Sequence, residues 1–156
     1  MELLAFFGLV TLAAASGAIF KPDEWYERLR KPSWNPPNWA FPVVWTILYA
    51  MMAVAGWLVW REVGWSTAIV IWGAQLVLNA AWSWLFFGEK RMDLAFAEVM
   101  LLLAAILAFI VAAWPVSMWA SLLFVPYLAW VGTAAALNWT VWKMNPEMNG
   151  PEERKA

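Results

Sequence analysis

Five apolar stretches, each near the length of about 20 residues that a helix needs to cross a bilayer, constrain this chain more than any other feature. They run over 3–20, 41–60, 66–87, 94–114 and 119–142. No alternation of period two with turn signals appears, so a β-barrel is a poor reading. In hydrocarbon every backbone amide needs an internal partner, and that leaves helices. Composition agrees. Hydrophobic residues make up 64% of the 156 positions and charged residues only 13%. A soluble domain carries about 25% charged residues on its skin, so lipid is the expected solvent for much of this surface. The fold class expected is an all-α membrane protein, a five-transmembrane-helix bundle forming a single domain over 1–156, with the lipid bilayer as its first partner.

The first stretch contains Ala13-Ala14-Ala15, which looks like a signal-peptide cleavage site. Met1 and Glu2 precede it without Lys or Arg, and the apolar run is long for a signal core, so it reads as a true span. Between spans one and two lies a long segment, 21–42, reading KPDEWYERLRKPSWNPPNWAFP. Residues Trp25 to Leu29 suit a short helix, with Pro22 near its start. Pro32, Pro36 and Pro37 then force extended turns. Long loops in compact proteins are usually functional or disordered, and three Trp and a Tyr argue for packing.

Charge is distributed unevenly about the spans. Lys21, Arg28, Arg30, Lys31, Lys90, Arg91, Lys143, Arg154 and Lys155 share one side; Arg61 stands alone on the other. Nine against one places the 21–42 loop and the C-terminus on the cytoplasmic side by the positive-inside bias. No basic block suits nucleic acid. The chain has neither Cys nor His, which removes thiolate and imidazole metal ligands and every Ser-His or Cys-His catalytic system.

Within the spans, polar side chains are expected to turn inward. Gln75, Asn79 and Ser83 recur every four residues and share a face, flanked by Trp72, Trp82 and Phe86. Trp45, Tyr49, Met52 and Gly56, with Thr46 beside them, make a second stripe. Tyr127, Trp130, Ala134 and Asn138 make a third, after a kink expected at Pro126. These stripes either line a flat-walled apolar pocket or glue the helices together. Trp57, Trp60, Trp65, Trp114, Trp119 and Trp142 sit at span ends and read as an interfacial belt. The fourth span, with Glu98 as its one acid well inside, reads as scaffold, Glu98 near enough to the charged end to reach water or to stay protonated. Small-xxx-small pairs at Ala13/Gly17, Ala14/Ala18 and Gly132/Ala136 allow close helix approach within a protomer or in a homodimer.

The run Lys31-Pro32-Ser33-Trp34-Asn35-Pro36-Pro37-Asn38-Trp39, followed by Pro42-Val43-Val44-Trp45-Thr46-Ile47-Leu48-Tyr49, resembles the signature of the TspO/MBR family of tryptophan-rich sensory and translocator proteins. The third span agrees through Gln75-Leu76, Asn79, Trp82 and Phe86-Phe87-Gly88. The fifth agrees through Pro126-Tyr127-Leu128-Ala129-Trp130 and Leu137-Asn138. The resemblance implies a receptor or sensor for porphyrins and other flat hydrophobic ligands, with a sterol added in animal members. It implies a pocket built from Trp34, Trp39, Trp45, Tyr49, Asn79, Trp82, Tyr127, Trp130, Ala134 and Leu137, with the 21–42 loop as its lid. It also implies a link to light-dependent breakdown of protoporphyrin, with Trp45 and Trp130 at the positions of the indoles concerned. Receptor, photo-oxidative enzyme and transporter therefore stand side by side; porphyrin enters as ligand, with no cofactor or metal expected. At the end of the fifth span Trp139 stands where the animal sterol motif has Tyr, which weakens sterol recognition there.

Overall fold

The computed structural model describes residues 1–150, so Arg154 and Lys155 of the charge count lie outside the described residues. Among the described residues there is no strand. Five helical segments are long and apolar enough to cross a membrane. They are α1 (Glu2–Ile19), α3 (Ala40–Val63), α4 (Thr67–Ser83) continued by a π-helical turn (Trp84–Gly88), α5 (Met92–Ala113), and a fifth span divided into α6 (Met118–Leu123) and α7 (Val125–Met144). The short helix α2 (Glu24–Arg28) lies in the long loop.

Local chemistry sets the boundaries. Asp23, Ser66 and Ser117 each accept a hydrogen bond from the backbone N–H three residues on, capping α2, α4 and α6. Gly64 ends α3 at φ 60°, donating its N–H to the Trp60 carbonyl. A side chain there would be strained. The fifth span breaks at Phe124, two residues before Pro126, which sits in the first turn of α7 where its missing N–H costs nothing. The kink expected at Pro126 is thus a division into two helices.

Neighbours in space follow a ring: α3 packs on α1, α1 on α4, α4 on α5, and α5 on α7, while α6 closes on α3. Ser16 Oγ donates to the Ala80 carbonyl at 2.6 Å, and Ser121 Oγ to the Ile110 carbonyl at 2.7 Å. These short polar links clamp α1 to α4 and α6 to α5. Trp72 is buried and donates its indole N–H to the Met52 carbonyl at 3.0 Å. A Cβ on Gly56 would sit 2.6 Å from its ring, so Gly56 is the notch that admits it. Trp72, read as flanking a pocket stripe, is a wedge between α3 and α4.

The long loop, the α4–α5 turn and the C-terminal segment meet at one end. Trp25 donates to the Met148 carbonyl at 3.0 Å, and Asn145 Oδ1 accepts from Arg30 N at 2.8 Å. Asn149 Oδ1 accepts from Met92 N at 2.7 Å, and Gly150 N donates to the Lys90 carbonyl at 2.7 Å. Lys90 adopts φ 57°, a conformation that costs about 1–2 kcal/mol for a side-chain-bearing residue. Its carbonyl bond to Gly150 and its 3.4 Å ion pair with Asp23 hold it there. The belt reading fits Trp65, Trp114 and Trp119, which are exposed, whereas Trp142 packs beside the buried cluster around Trp25, Phe86 and Met92.

Candidate ligand cavity

A cavity of about 650 Å³ occupies the loop-side half of the bundle. Its mouth is framed by Lys21, Pro22, Tyr26 and Asn38. Its walls come from all five spans. Trp45, Thr46 and Tyr49 face it from α3; Asn79, Trp82 and Ser83 from α4; and Trp130, Ala134, Leu137 and Asn138 from α7. Ala14 and Gly17 of α1 and Val99 and Leu102 of α5 complete it. Two of the small residues noted on the first span therefore shape a hollow within the protomer.

The π-helical turn has a role here. Glu89 N bonds back to the Trp84 carbonyl at 2.8 Å, closing a wider ring than an α-helix does. The extra residue brings both Phe86 and Phe87 to the cavity. Trp82 stacks on Phe86 with centroids 5.0 Å apart, and Phe86 meets Phe87 edge-on at 4.9 Å. On the opposite wall Trp45 stacks on Tyr49 at 5.4 Å. The result is a pair of aromatic walls with few polar atoms between them.

The polar residues are mostly tied to one another. The Tyr49 hydroxyl donates to Asn79 Oδ1 at 2.8 Å, Asn79 Nδ2 donates to the Tyr127 hydroxyl at 2.8 Å, and that hydroxyl donates to Gln75 Oε1 at 2.8 Å. Trp82 donates to Asn138 Oδ1 at 3.0 Å, while Asn138 Nδ2 donates to the Met92 carbonyl at 2.9 Å. Both readings of the stripes are represented: Asn79 and Asn138 line the cavity, and together with Gln75 they tie α3, α4, α5 and α7 to one another. The buried Trp130 Nε1 has no acceptor among the described residues. A buried donor left unpaired costs about 1–3 kcal/mol, which a ligand acceptor would recover.

Eight of the ten residues proposed from sequence cluster at this site. Trp45, Tyr49, Asn79, Trp82, Trp130, Ala134 and Leu137 line the cavity. Tyr127 lies just behind Asn79, buried, and does not reach the surface of the hollow. Trp34 and Trp39 stand 49% and 70% exposed and line no part of it. From this part of the chain Tyr26, Asn38 and Phe41 line the cavity instead. Burial pushes the Tyr26 phenol up, so it stays neutral at physiological pH.

The long loop carries the cations Arg28, Arg30 and Lys31. Arg30 pairs with Glu147 at 2.9 Å, and Lys31 Nζ donates to the Tyr26 and Leu29 carbonyls at 2.8 and 3.3 Å. None of the three lines the cavity; Lys21 does, with no ion-pair partner among the described residues. Of the two alternatives for Glu98, access to water is the one its burial removes. It is buried in α5, and both carboxyl oxygens lack a partner among the described residues. Sequence reasoning missed Phe41, Phe87 and Lys21. The only signal was their position at the ends of spans bordering the loop.

Residues 5–143 match the TspO/MBR family. The tryptophan-rich sensory protein of Cereibacter sphaeroides is 42% identical, the match covering 97% of this chain and 94% of that protein. The tryptophan-rich protein TspO of Chlorobaculum tepidum is 40% identical over 94% of this chain and 97% of its own length. The human translocator protein is 41% identical over 81% of this chain and 78% of its own. A family match across nearly the whole chain, joined to five membrane-crossing helices around an aromatic hollow, leads to one conclusion: this chain is a multi-pass membrane protein of the TspO/MBR family.

Proposed function

We propose that the protein is a membrane receptor and sensor for porphyrins and related flat hydrophobic ligands. The observation that carries this reading is the hollow itself, about 650 Å³ with Trp45 and Tyr49 on one wall and Trp82 and Phe86 on another. A porphyrin already resides in hydrocarbon, so leaving the bilayer gains little hydrophobic energy. Affinity must then come from ring contacts, each worth about 0.5–1.5 kcal/mol beyond area burial, and from a few polar points. Trp130 Nε1 supplies an unused donor, and Lys21 supplies a cation at the mouth for a peripheral carboxylate. The positive-inside bias puts the mouth and the long loop on the cytoplasmic side. A sterol suits the end of α7 less well, because Lys143 lies over the rings of Trp139 and Trp142 at 4.4 and 4.1 Å.

The test is quenching of Trp fluorescence on titration with protoporphyrin. Saturable quenching in the native protein, lost when Trp45, Trp82 and Trp130 are replaced together by Leu, supports the pocket. Unchanged affinity in that variant overturns it.

A second reading, light-driven oxidation of bound porphyrin, is favoured by the placement of Trp45 and Trp130 on the cavity wall. The excited porphyrin and dioxygen would supply the reactivity. Illuminated loss of porphyrin absorbance, faster with the native protein than with Trp45→Phe or Trp130→Phe, supports it. Equal bleaching with no protein present refutes it.

A further inference from the structure

Trp130 borders a second space besides the central cavity. On the outer side of the bundle a groove of about 380 Å³ runs between α3 and α7. Val44, Ile47 and Met51 line one side, Pro126, Ala129 and Thr133 the other, and Trp130 its floor. The groove carries no charged side chain. Its one hydroxyl, Thr133 Oγ1, donates to the Ala129 carbonyl at 3.0 Å, so the residue shows its methyl. The groove exists because α3 and α7 do not lean on each other. The fifth span meets α3 chiefly through α6, at the far end, while α7 leans on α5. Elsewhere in the ring, neighbouring spans are in close contact.

The same indole therefore separates the hollow from the lipid-facing surface. Side-chain packing, not a hydrogen bond, holds it in place. Its N–H has no acceptor among the described residues, so turning it breaks no hydrogen bond. Its ring meets Phe41 edge-on, with centroids 5.7 Å apart. By contrast the indoles of Trp25, Trp72 and Trp82 are each anchored by an N–H bond of 3.0 Å.

We propose that the α3–α7 groove is a second apolar binding site, a lipid-side vestibule through which a flat hydrophobic ligand passes between the bilayer and the central cavity, with Trp130 as the partition. This rests on the porphyrin-class reading of the cavity. It adds that the ligand arrives sideways from hydrocarbon, where such molecules concentrate, rather than through the mouth framed by Lys21 and Asn38. Passage needs only rotation of an untethered indole and a small separation of two helices that are already apart.

The chain has no native Cys, so a cysteine pair placed across the groove is unique. Ile47→Cys with Thr133→Cys, both at exposed positions outside the central cavity, is joined by a short bis-maleimide in protein reconstituted in phosphatidylcholine vesicles. Protoporphyrin is delivered from donor vesicles, and Trp quenching is followed in time and at equilibrium. The bridged protein is expected to load about tenfold more slowly, with equilibrium affinity unchanged, because a blocked route alters both rates alike. The same cysteine pair left unmodified is expected to load at the native rate. Ala129→Trp, which fills the groove without any cross-link, is expected to slow loading as well. Native loading rates in both the bridged protein and Ala129→Trp overturn the vestibule while leaving the cavity reading intact. No saturable quenching even in the unbridged protein overturns the cavity reading, and the vestibule with it.

Discussion

At the end of the bundle away from the long loop, the Trp72 ring is seated in the notch left by Gly56, and Phe6 packs edge-on against it at 5.0 Å. At the loop end Gly17 and Ala134 are also small, yet no ring fills the space they leave. A Cβ on Gly17 would meet nothing nearer than Ser83 Oγ at 3.9 Å. Both regions use the same vocabulary of aromatics, amides and small residues along the same helices. The stripe Trp45, Tyr49, Met52, Gly56 passes from one region into the other within a single face of α3, hollow at its start and solid at its end. What separates them is whether a large side chain on a neighbouring helix arrives at the level of the small one. Packing in lipid gives no general hydrophobic reward for closing a gap between helices, so a hollow persists where no such partner arrives.

That contrast can be broken most forcefully at Gly56. Gly56→Val forces a side chain into the Trp72 ring; overpacking of this kind costs about 1–3 kcal/mol or more. A fall in melting temperature or a loss of folded protein in detergent is expected, while Gly17→Ala melts like the native protein. Equal damage from both would erase the distinction between solid and hollow ends.

Ala134→Phe should do the reverse. It fills open space, so thermal stability is retained, and porphyrin affinity drops about tenfold or more, equivalent to about 1.4 kcal/mol. Calorimetric or fluorescence titration beside a thermal melt separates the two effects.

Between the regions lies the Tyr49–Asn79–Tyr127–Gln75 chain. Asn79→Leu removes two hydrogen bonds and leaves two buried hydroxyls short of a partner, a loss of about 1–3 kcal/mol. It should lower both the melting temperature and ligand affinity, marking the floor of the hollow as structure and site together.

Smaller effects are expected at the mouth. Lys21→Gln should weaken protoporphyrin by a few-fold at most, since exposed pairs contribute about 0–1 kcal/mol. The dimethyl ester, which lacks the carboxylate charge, should bind the two proteins alike. Smallest of all, Trp34→Ala should leave both stability and affinity near native, because Trp34 is half exposed and outside the cavity.

Much of this molecule was legible along the chain because the bilayer imposes local rules. The five apolar runs of spanning length each act within their own segment. The four-residue spacing of Gln75, Asn79 and Ser83 named the inward face of α4, and the linked Trp-Asn-Pro motifs named the family. Trp34 and Trp39 came from the resemblance alone, and a motif in a proline-rich loop says that the loop is extended, not toward what it turns. For Glu98 two fates stayed open along the chain, because distance from the charged end says nothing of the helices that cover it.

Sequence alone therefore determined the spanning helices, their number and which faces turn from lipid, since each depends on a periodicity or a transfer cost carried by one segment. Only the tertiary structure decided that Trp72 is a wedge while Trp82 is a wall, that α3 and α7 stand apart, and that Trp130 lies between two spaces. Those outcomes depend on the rotation and register of one helix against another. They are set by where a ring on one span meets a glycine or an alanine on the next, a relation between residues that are distant along the chain.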